Sequence, residues 1–251
     1  MEPAAPSSPP PRPPAGVYGA GTLLLLWMGL PAVLGVYLLT QIAPLTEWLG
    51  RDRLQGAAIF ALGYAVCCGS GVLPTYAPSI VGGWIFGPWL GFPACVAGYL
   101  GGSSLGFLIS RLAAGRGVEQ WIDRNPRSAV IRRALVQERP ARTLLIVGLL
   151  RLSPSAPFAA TNLVMASSGV PYRVFITGTV LGMAPRTFIA TLVSHAAAST
   201  GAKDLVALAT EQGFTAVAIG AVLLVGSLAV IAHVARRALQ QALATHRVPD
   251  R

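Results

Sequence analysis

Long apolar runs alternate with short charged connectors along this chain. Residues 17–39, 92–110 and 213–232 contain no charged side chain, and residues 172–198 are almost as apolar. A helix of about 20 residues crosses the roughly 30 Å of hydrocarbon in a bilayer, and each run is about that long. The pattern predicts an all-α polytopic membrane protein with about four crossing helices.

Two further apolar stretches are broken by proline and glycine. Residues 54–90 contain the breaks Pro74 and Pro78, and residues 143–169 contain Pro154 and Pro157. Broken backbone at membrane depth is tolerated only where protein buries it or where it lines a wet cavity. We therefore predict two re-entrant hairpins, each made of two half-helices.

The order of elements repeats, since each broken hairpin is followed by a crossing helix. A shift of 80 residues lays Pro74 on Pro154 and superimposes two pairs of glycines spaced for helix packing, which are Gly98, Gly102, Gly178 and Gly182. Paired broken hairpins of inverted topology are a recurring transporter architecture. The fold predicted is an inverted repeat of two hairpins.

The two ends of the chain are polar. Residues 1–16 are proline-rich and are predicted to form a disordered tail. The membrane domain is predicted over 17–235, and a basic tail over 236–251.

Composition supports the membrane assignment. Hydrophobic residues make up 53% of the chain and charged residues 11%, with a mean hydropathy of +0.61, whereas soluble domains carry about 25% charged residues. The net charge of +10 resides mainly in connectors, as the positive-inside rule describes. We expect membrane lipids as partners and no nucleic acid, while a homo-oligomer stays open.

The connector at 111–142 is the most basic part of the chain, with eight arginines and three acids. Apolar residues at helical spacing on both sides of Pro126 favour two short amphipathic helices at the membrane interface. The alternative is a plain solvated connector.

Arg151 and Arg186 are the main candidates for a binding site. Both lie within apolar segments, where a charge is costly and marks a functional site by default. An anionic headgroup could bind them, with Ser153, Ser155 and Asn162 as further donors. Alternatively, Arg151 extends to the cytoplasmic face of the membrane, or Arg186 satisfies backbone carbonyls freed at Pro154 or Pro185. Arg111 ends a crossing helix and is either a topological anchor or a ligand contact.

Enzymatic and metal chemistry have little support. Cys67, Cys68 and Cys95 lack metal-ligand spacing, and they are interpreted as small buried apolar residues. Ser70 and His195 do not form a protease motif. We expect no enzyme, no metal and no cofactor.

Three groups of residues resemble the VTT domain, the DedA-like or SNARE-associated Golgi protein superfamily. They are Gly82-Gly83-Trp-Ile-Phe-Gly-Pro-Trp-Leu-Gly91 followed by Gly98-x-x-x-Gly102 and Phe107-x-x-x-Arg111, then Arg151-Leu-Ser-Pro154-x-x-Pro157-Phe158, then Gly182-x-x-Pro185-Arg186-Thr187. The resemblance covers residues 54–200, and the Phe-x-x-x-Arg ending is similar to the Tvp/Tmem-type branch.

This resemblance implies inverted re-entrant hairpins and lipid translocation. The sequence departs from DedA-like members because no acid lies between Arg53 and Glu119, so the first hairpin lacks their usual carboxylate. We expect a protein of the cell membrane that translocates an anionic lipid, either a phospholipid or a polyprenyl phosphate. The alternative is a non-transporting membrane organiser that binds lipid or partners through its basic loop.

The arginine distribution predicts the orientation of the chain. Residues 111–142 and both termini should be cytoplasmic, and residues 199–212 should be external, because Lys203 is outnumbered there by Asp204 and Glu211. A Lys203→Cys variant, made after removal of the three native cysteines, should react with an impermeant thiol reagent from outside intact cells. Labelling from the cytoplasmic side alone contradicts this topology.

Overall fold

A computed structural model describes residues 29–113, 140–152 and 158–204 of the 251. It also describes ten isolated positions nearer the C-terminus, namely 207, 208, 210, 222, 225, 226, 229, 230, 233 and 237. The predicted N-terminal tail, most of the basic connector and the breaks Pro154 and Pro157 lie outside these residues.

The described parts of the chain form helices without strands, which confirms the all-α prediction. In chain order the helices are α1 (Gly29–Thr40), α2 (Ile42–Leu49), α3 (Arg53–Gly69), α4 (Tyr76–Ala113), α5 (Pro140–Leu152), α6 (Phe158–Ser167) and α7 (Tyr172–Ala198).

Two of these helices, over Tyr76–Leu112 and Tyr172–Ala198, are long and apolar enough to cross a membrane, and the bent pair α1–α2 would add a third. The crossing predicted at 213–232 falls almost wholly outside the described residues.

Helix α2 lies in residues 40–53, a segment with two arginines and two acids that separates two apolar runs. The chain bends by 64° between α1 and α2, and α2 buries Ile42 and Leu49 completely or nearly so. The charged residues of this segment therefore do not make it an irregular loop, because the apolar residues between them pack against the core.

The first hairpin consists of α3 and the first eleven residues of α4. Asp52 caps α3 by accepting hydrogen bonds from the backbone N–H groups of Leu54 and Gln55, at 3.1 and 3.0 Å. Gly71, two residues beyond the end of α3, has φ 79°, which favours glycine. Backbone bonds from Gly71 to Cys68 and from Val72 to Cys67 complete a Schellman motif.

The tip of the first hairpin spans residues 70–75 and contains Pro74. Pro78 was predicted as a second break, but it lies in the first turn of α4. A proline there does not interrupt the helix, because the first helical N–H groups have no intrahelical acceptor to lose.

Helix α4 divides at Gly87, which has φ 72° and ψ 178°. Residues 76–86 return from the tip, and residues 88–113 form the long second part, slightly longer than the predicted crossing at 92–110. Arg53 donates from Nη2 to the carbonyl of Phe86 at 2.8 Å. Glycine at the bend can adopt the positive φ, and Arg53 bonds to the Phe86 carbonyl that the interrupted helix leaves free.

The segment predicted as the second hairpin contains α5 and α6, and the residues between these helices lie outside the described part of the chain. Helix α6 is followed by Gly169, which has φ 75° and plays the same part as Gly71 after α3. Helix α7 then runs unbroken through Pro185, so this proline does not interrupt the apolar run that contains it. Proline inside a membrane helix is tolerated where neighbouring groups satisfy the backbone that it frees.

Helices α4 and α7 pack together in opposite directions. The Phe107 ring, near the end of α4, lies 5.8 Å from the Tyr172 ring at the start of α7. The bend at Gly87 lies beside the His195 ring, near the end of α7. Each hairpin packs mainly against these two long helices.

The predicted glycine pairs lie where each long helix approaches its own hairpin. A Cβ built on Gly102 would lie 3.0 Å from the carbonyl oxygen of Ala65 in α3. One built on Gly182 would lie 2.3 Å from the carbonyl oxygen of Gly148 in α5. Gly98 and Gly178 make similar contacts with the side chains of Tyr64 and Val147.

Leucine at these positions should destabilise the protein. A leucine side chain at Gly102 or Gly182 would overlap the backbone of the neighbouring helix. Overpacking of this kind lowers the free energy of unfolding by on the order of 1–3 kcal/mol. The apparent Tm in detergent should fall for both variants. Gly63→Leu is the matched control in α3, because nothing lies within 4 Å of a Cβ built there. Equal stability of Gly182→Leu and Gly63→Leu would contradict close packing at Gly182.

Candidate functional site

Arg186 lies at the middle of α7 and reaches the tip of the first hairpin. It is 14 residues after Tyr172 in a 27-residue helix, or roughly 21 Å along the axis. Its side chain is 7% exposed. Nη2 donates to Thr75 Oγ1 at 3.0 Å and Nη1 donates to the Tyr76 hydroxyl at 2.9 Å. The guanidinium also stacks over the Tyr76 ring at 4.8 Å.

Arg151 lies at the end of α5, at the tip of the second hairpin, and is 3% exposed. Its Nε donates to Thr179 Oγ1 at 3.2 Å, Nη1 donates to Thr161 Oγ1 at 3.0 Å, and Nη2 donates to Asn162 Oδ1. The guanidinium lies 4.8 Å from the centre of the Phe158 ring and 5.2 Å from that of Phe175. This side chain therefore joins α5, α6 and α7.

The two arginines lie close together along α7. Gly182 packs against Arg151, since a Cβ on Gly182 would be 2.7 Å from the Arg151 Cβ. Gly182 and Arg186 are four residues apart on one helix face, which is about 6 Å along the axis. Arg186 belongs to α7, and Arg151 packs against the same helix one turn earlier. The two arginines thus place positive charge along the same part of α7.

A helix terminus adds to the positive potential at Arg186. This residue bonds to Thr75 and Tyr76 at the beginning of α4, and the beginning of a helix carries a partial positive charge that favours anions over cations. Arg186 therefore occupies a position that its own charge makes unfavourable and that an anion would relieve. Arg151 lies in the last turn of α5, at the helix end that favours a cation.

In the described part of the chain, no acidic side chain pairs with either arginine. The sequence has no Asp or Glu between Arg53 and Glu119, and none between Glu138 and Asp204. The arginines are held by neutral hydroxyl and amide groups and by aromatic rings. A buried cation is usually paired with an acid, so this arrangement is unusual and defines the candidate site.

The described hydrogen bonds of the two arginines all go to side chains. At the first tip, the carbonyl of Thr75 accepts from the Tyr64 hydroxyl at 2.9 Å and from the Ser79 hydroxyl at 2.8 Å. The alternative that Arg186 satisfies carbonyls freed at Pro154 involves residues outside the described part of the chain.

Of the other predicted site residues, one contacts Arg151, one is exposed and two lie outside the described part of the chain. Asn162 is 1% exposed and bonds directly to Arg151. Arg111 lies exposed in the last turn of α4 and is not part of the buried pair. Ser153 and Ser155 lie outside the described residues.

Sequence reasoning missed the hydroxyl partners Thr75, Tyr76, Thr161 and Thr179. The nearest signal in the sequence is that Thr75 and Tyr76 directly follow Pro74, at a predicted break. Thr179 carried no such signal, because its importance depends on the packing of α5 against α7.

The described residues do not form either of two other kinds of site, a protease centre at Ser70 and His195 or a metal site at the cysteines. Ser70 lies at the tip of the first hairpin, whereas His195 lies beside Gly87, at the other end of that hairpin. Cys68 and Cys95 are both fully buried. Among the described residues, His, Cys, Asp and Glu form no cluster that could hold a metal ion.

The described residues define a class of protein, namely a helical membrane protein with two buried arginines beside the middle of one long helix. Residues 73–196 match the VTT domain. The chain therefore contains a VTT domain, which supports a relationship to the superfamily of VTT-domain and DedA-like membrane proteins. Its assignment to the Tvp/Tmem-type branch stays a prediction.

The chain is also similar to an uncharacterized membrane protein of Arabidopsis thaliana. The two are 29% identical over 149 residues, which is 58% of this chain and 51% of the plant protein. The chain thus spans about half the length of the curated relative that it matches. No solved structure matches it significantly.

Loss of the hydroxyl partners should destabilise the protein. Thr75→Val and Thr179→Val keep the side-chain shape but remove an acceptor from a buried guanidinium, and a hydrogen bond to a charged group contributes about 1.5–3 kcal/mol. Both variants should unfold at lower temperature in detergent. Thr200→Val alters an exposed hydroxyl and should change stability by less than about 0.5 kcal/mol. Wild-type stability of both buried variants would argue against these hydrogen bonds.

Proposed function

We propose that this protein translocates an anionic lipid across the cell membrane, and that Arg151 and Arg186 bind its phosphate group. The lipid is a phospholipid or a polyprenyl phosphate. The observation that supports this most directly is the buried pair of arginines without an acid. A phosphate group would supply the negative charge that the interior of the protein lacks.

Arginine suits this task because of its geometry. Its planar guanidinium matches the oxygens of a phosphate in a bidentate way, whereas the ammonium of lysine is a point charge. Each guanidinium has five N–H donors. Arg151 uses three and Arg186 uses two in described hydrogen bonds, so both keep donors for a ligand.

The position of the site favours translocation over simple anchoring. Arg186 lies near the midpoint of a helix long enough to cross a membrane, and hairpin tips from both halves of the sequence reach it. A headgroup bound there would be about midway between the two membrane surfaces. We further propose that transport does not use a carboxylate between Arg53 and Glu119 for proton coupling, because the sequence has none there.

Substitution of the arginines provides the test. In liposomes reconstituted with purified protein, Arg151→Lys and Arg186→Lys should slow the movement of labelled phospholipid nearly as much as the corresponding alanine variants, because lysine cannot form the bidentate contact. The loss should be at least about tenfold if one charge-assisted bond is lost. A polyprenyl phosphate and several phospholipid headgroups should be compared.

Arg173→Lys is the matched control, since Arg173 is exposed on the same helix. It should transport at the wild-type rate. Normal transport by both buried lysine variants would contradict bidentate recognition. If wild-type protein in liposomes moves none of the lipids, translocation is wrong, and the membrane-organiser hypothesis takes its place. If the alanine variants fail to fold, the arginines are structural.

A further inference from the structure

Four buried side-chain polar atoms in the described part of the chain have no hydrogen-bond partner. Three of them are the hydroxyl oxygen of Tyr99, Oγ of Ser103 and Nδ2 of Asn162, and the fourth is Oγ of Ser168. Tyr99 and Ser103 are 0% exposed, and Asn162 is 1% exposed. Most buried polar groups in proteins are hydrogen-bonded, so each exception calls for an explanation.

The first three of these groups form one row. Tyr99, Ser103 and Gly106 are spaced by four and three residues, so they share one face of α4. Asn162 from α6 meets that face at Gly106, because a Cβ on Gly106 would lie 2.5 Å from Asn162 Nδ2. The row is about 10 Å long, because Tyr99 and Gly106 are seven positions apart on one helix.

The row runs beside Arg151 and the part of α7 that contacts it. Asn162 bonds to Arg151 through Oδ1, which leaves Nδ2 as the unpartnered donor. Helices α4 and α7 run in opposite directions, and the Phe92 and Phe107 rings of α4 contact the Phe188 and Tyr172 rings of α7. Tyr99 and Ser103 therefore lie level with the stretch of α7 around Gly182 and Thr179, which contacts Arg151.

All the groups in this region can donate hydrogen bonds. A hydroxyl donates one, the Asn162 amide nitrogen donates two, and the arginines retain further N–H groups. A ligand that accepts several hydrogen bonds through different oxygens satisfies them together. A halide has the charge but lacks the set of separate acceptor oxygens.

We propose that Tyr99, Ser103 and Asn162 form the selective wall of an interior site for a phosphate-type oxyanion. The wall is contributed by α4 and α6, opposite the arginines. This inference rests on the proposed binding of phosphate by the arginine pair and adds the residues that distinguish an oxyanion from a halide. The source of the oxyanion is either a lipid headgroup or free phosphate.

Stability and affinity should change in opposite directions when the wall is altered. An unpartnered buried hydroxyl destabilises the protein without ligand, so Tyr99→Phe and Ser103→Ala should unfold at the same temperature as wild type or higher. Each should weaken binding of the ligand about tenfold, because each removes a hydrogen bond to a charged group. A merely structural hydroxyl would lower stability when removed and leave affinity unchanged.

The probes are dihexanoyl phosphatidic acid, inorganic phosphate and chloride, titrated into full-length protein in a maltoside detergent. Tighter binding of phosphatidic acid than of phosphate identifies a lipid headgroup, and equal binding identifies free phosphate. Ser104→Ala is the matched control, because the Ser104 hydroxyl already bonds to the Leu100 carbonyl and the Tyr172 hydroxyl, each at 2.7 Å. It should not change affinity.

A further variant addresses the charge of the site. Asn162→Asp places a carboxylate beside Arg151, so it should raise the apparent Tm and abolish binding of both oxyanions. Chloride that competes as well as phosphate would overturn the inference. Wild-type affinity in Tyr99→Phe and Ser103→Ala would also overturn the inference. If the arginine variants lose binding at the same time, the proposed function still stands. Oxyanion binding with the expected dependence, but without lipid movement in liposomes, would uphold the site and reject translocation.

Discussion

Two positive charges buried without an acid are the constraint on which the centre of this structure depends. Burial of a charge is costly unless the charge is paired and hydrogen-bonded. Here three threonines, a tyrosine, an asparagine and aromatic rings hold Arg151 and Arg186. Neutral partners satisfy the geometry of the guanidinium groups but leave their charge in place. The same contacts that fix the two hairpin tips therefore also create an attraction for anions.

Interruption of the helices makes this arrangement possible. A continuous helix presents side chains to its neighbours, and its free backbone N–H and C=O groups lie only at its two ends. The Schellman motif at Gly71 ends α3 at the first tip, and α4 begins at Tyr76. The first tip can then meet α7 at its middle turn. The first tip depends on Arg186 from the second half of the chain, whereas the second tip uses its own Arg151, so the two halves of the repeat are not equivalent.

The sequence predicted the parts of this fold that follow from hydrophobicity and from backbone chemistry. Uncharged runs indicated the helices around 92–110 and 172–198, and Pro74 indicated the first break. Pro78 and Pro185 were misleading, because neither ends its helix. A proline in the first turn removes no intrahelical hydrogen bond, and a proline further along is tolerated where neighbouring groups bond to the carbonyl that it leaves free. The helix α2 was missed for a related reason, since Ile42 and Leu49 are apolar positions within a charged segment.

The candidate site was only partly predictable for a different physical reason. A charge in an apolar run is visible in sequence, which is why Arg151 and Arg186 could be named. A hydroxyl is ordinary in sequence, and it acquires meaning only from what faces it. Thr179 faces an arginine, Ser104 faces Tyr172, and Ser103, one residue away on the next face of the helix, has no described partner. Adjacent serines thus differ in physical role because a helix turns by about 100° per residue. This contrast separates the polar groups that hold the fold together from those that are left to bind a ligand.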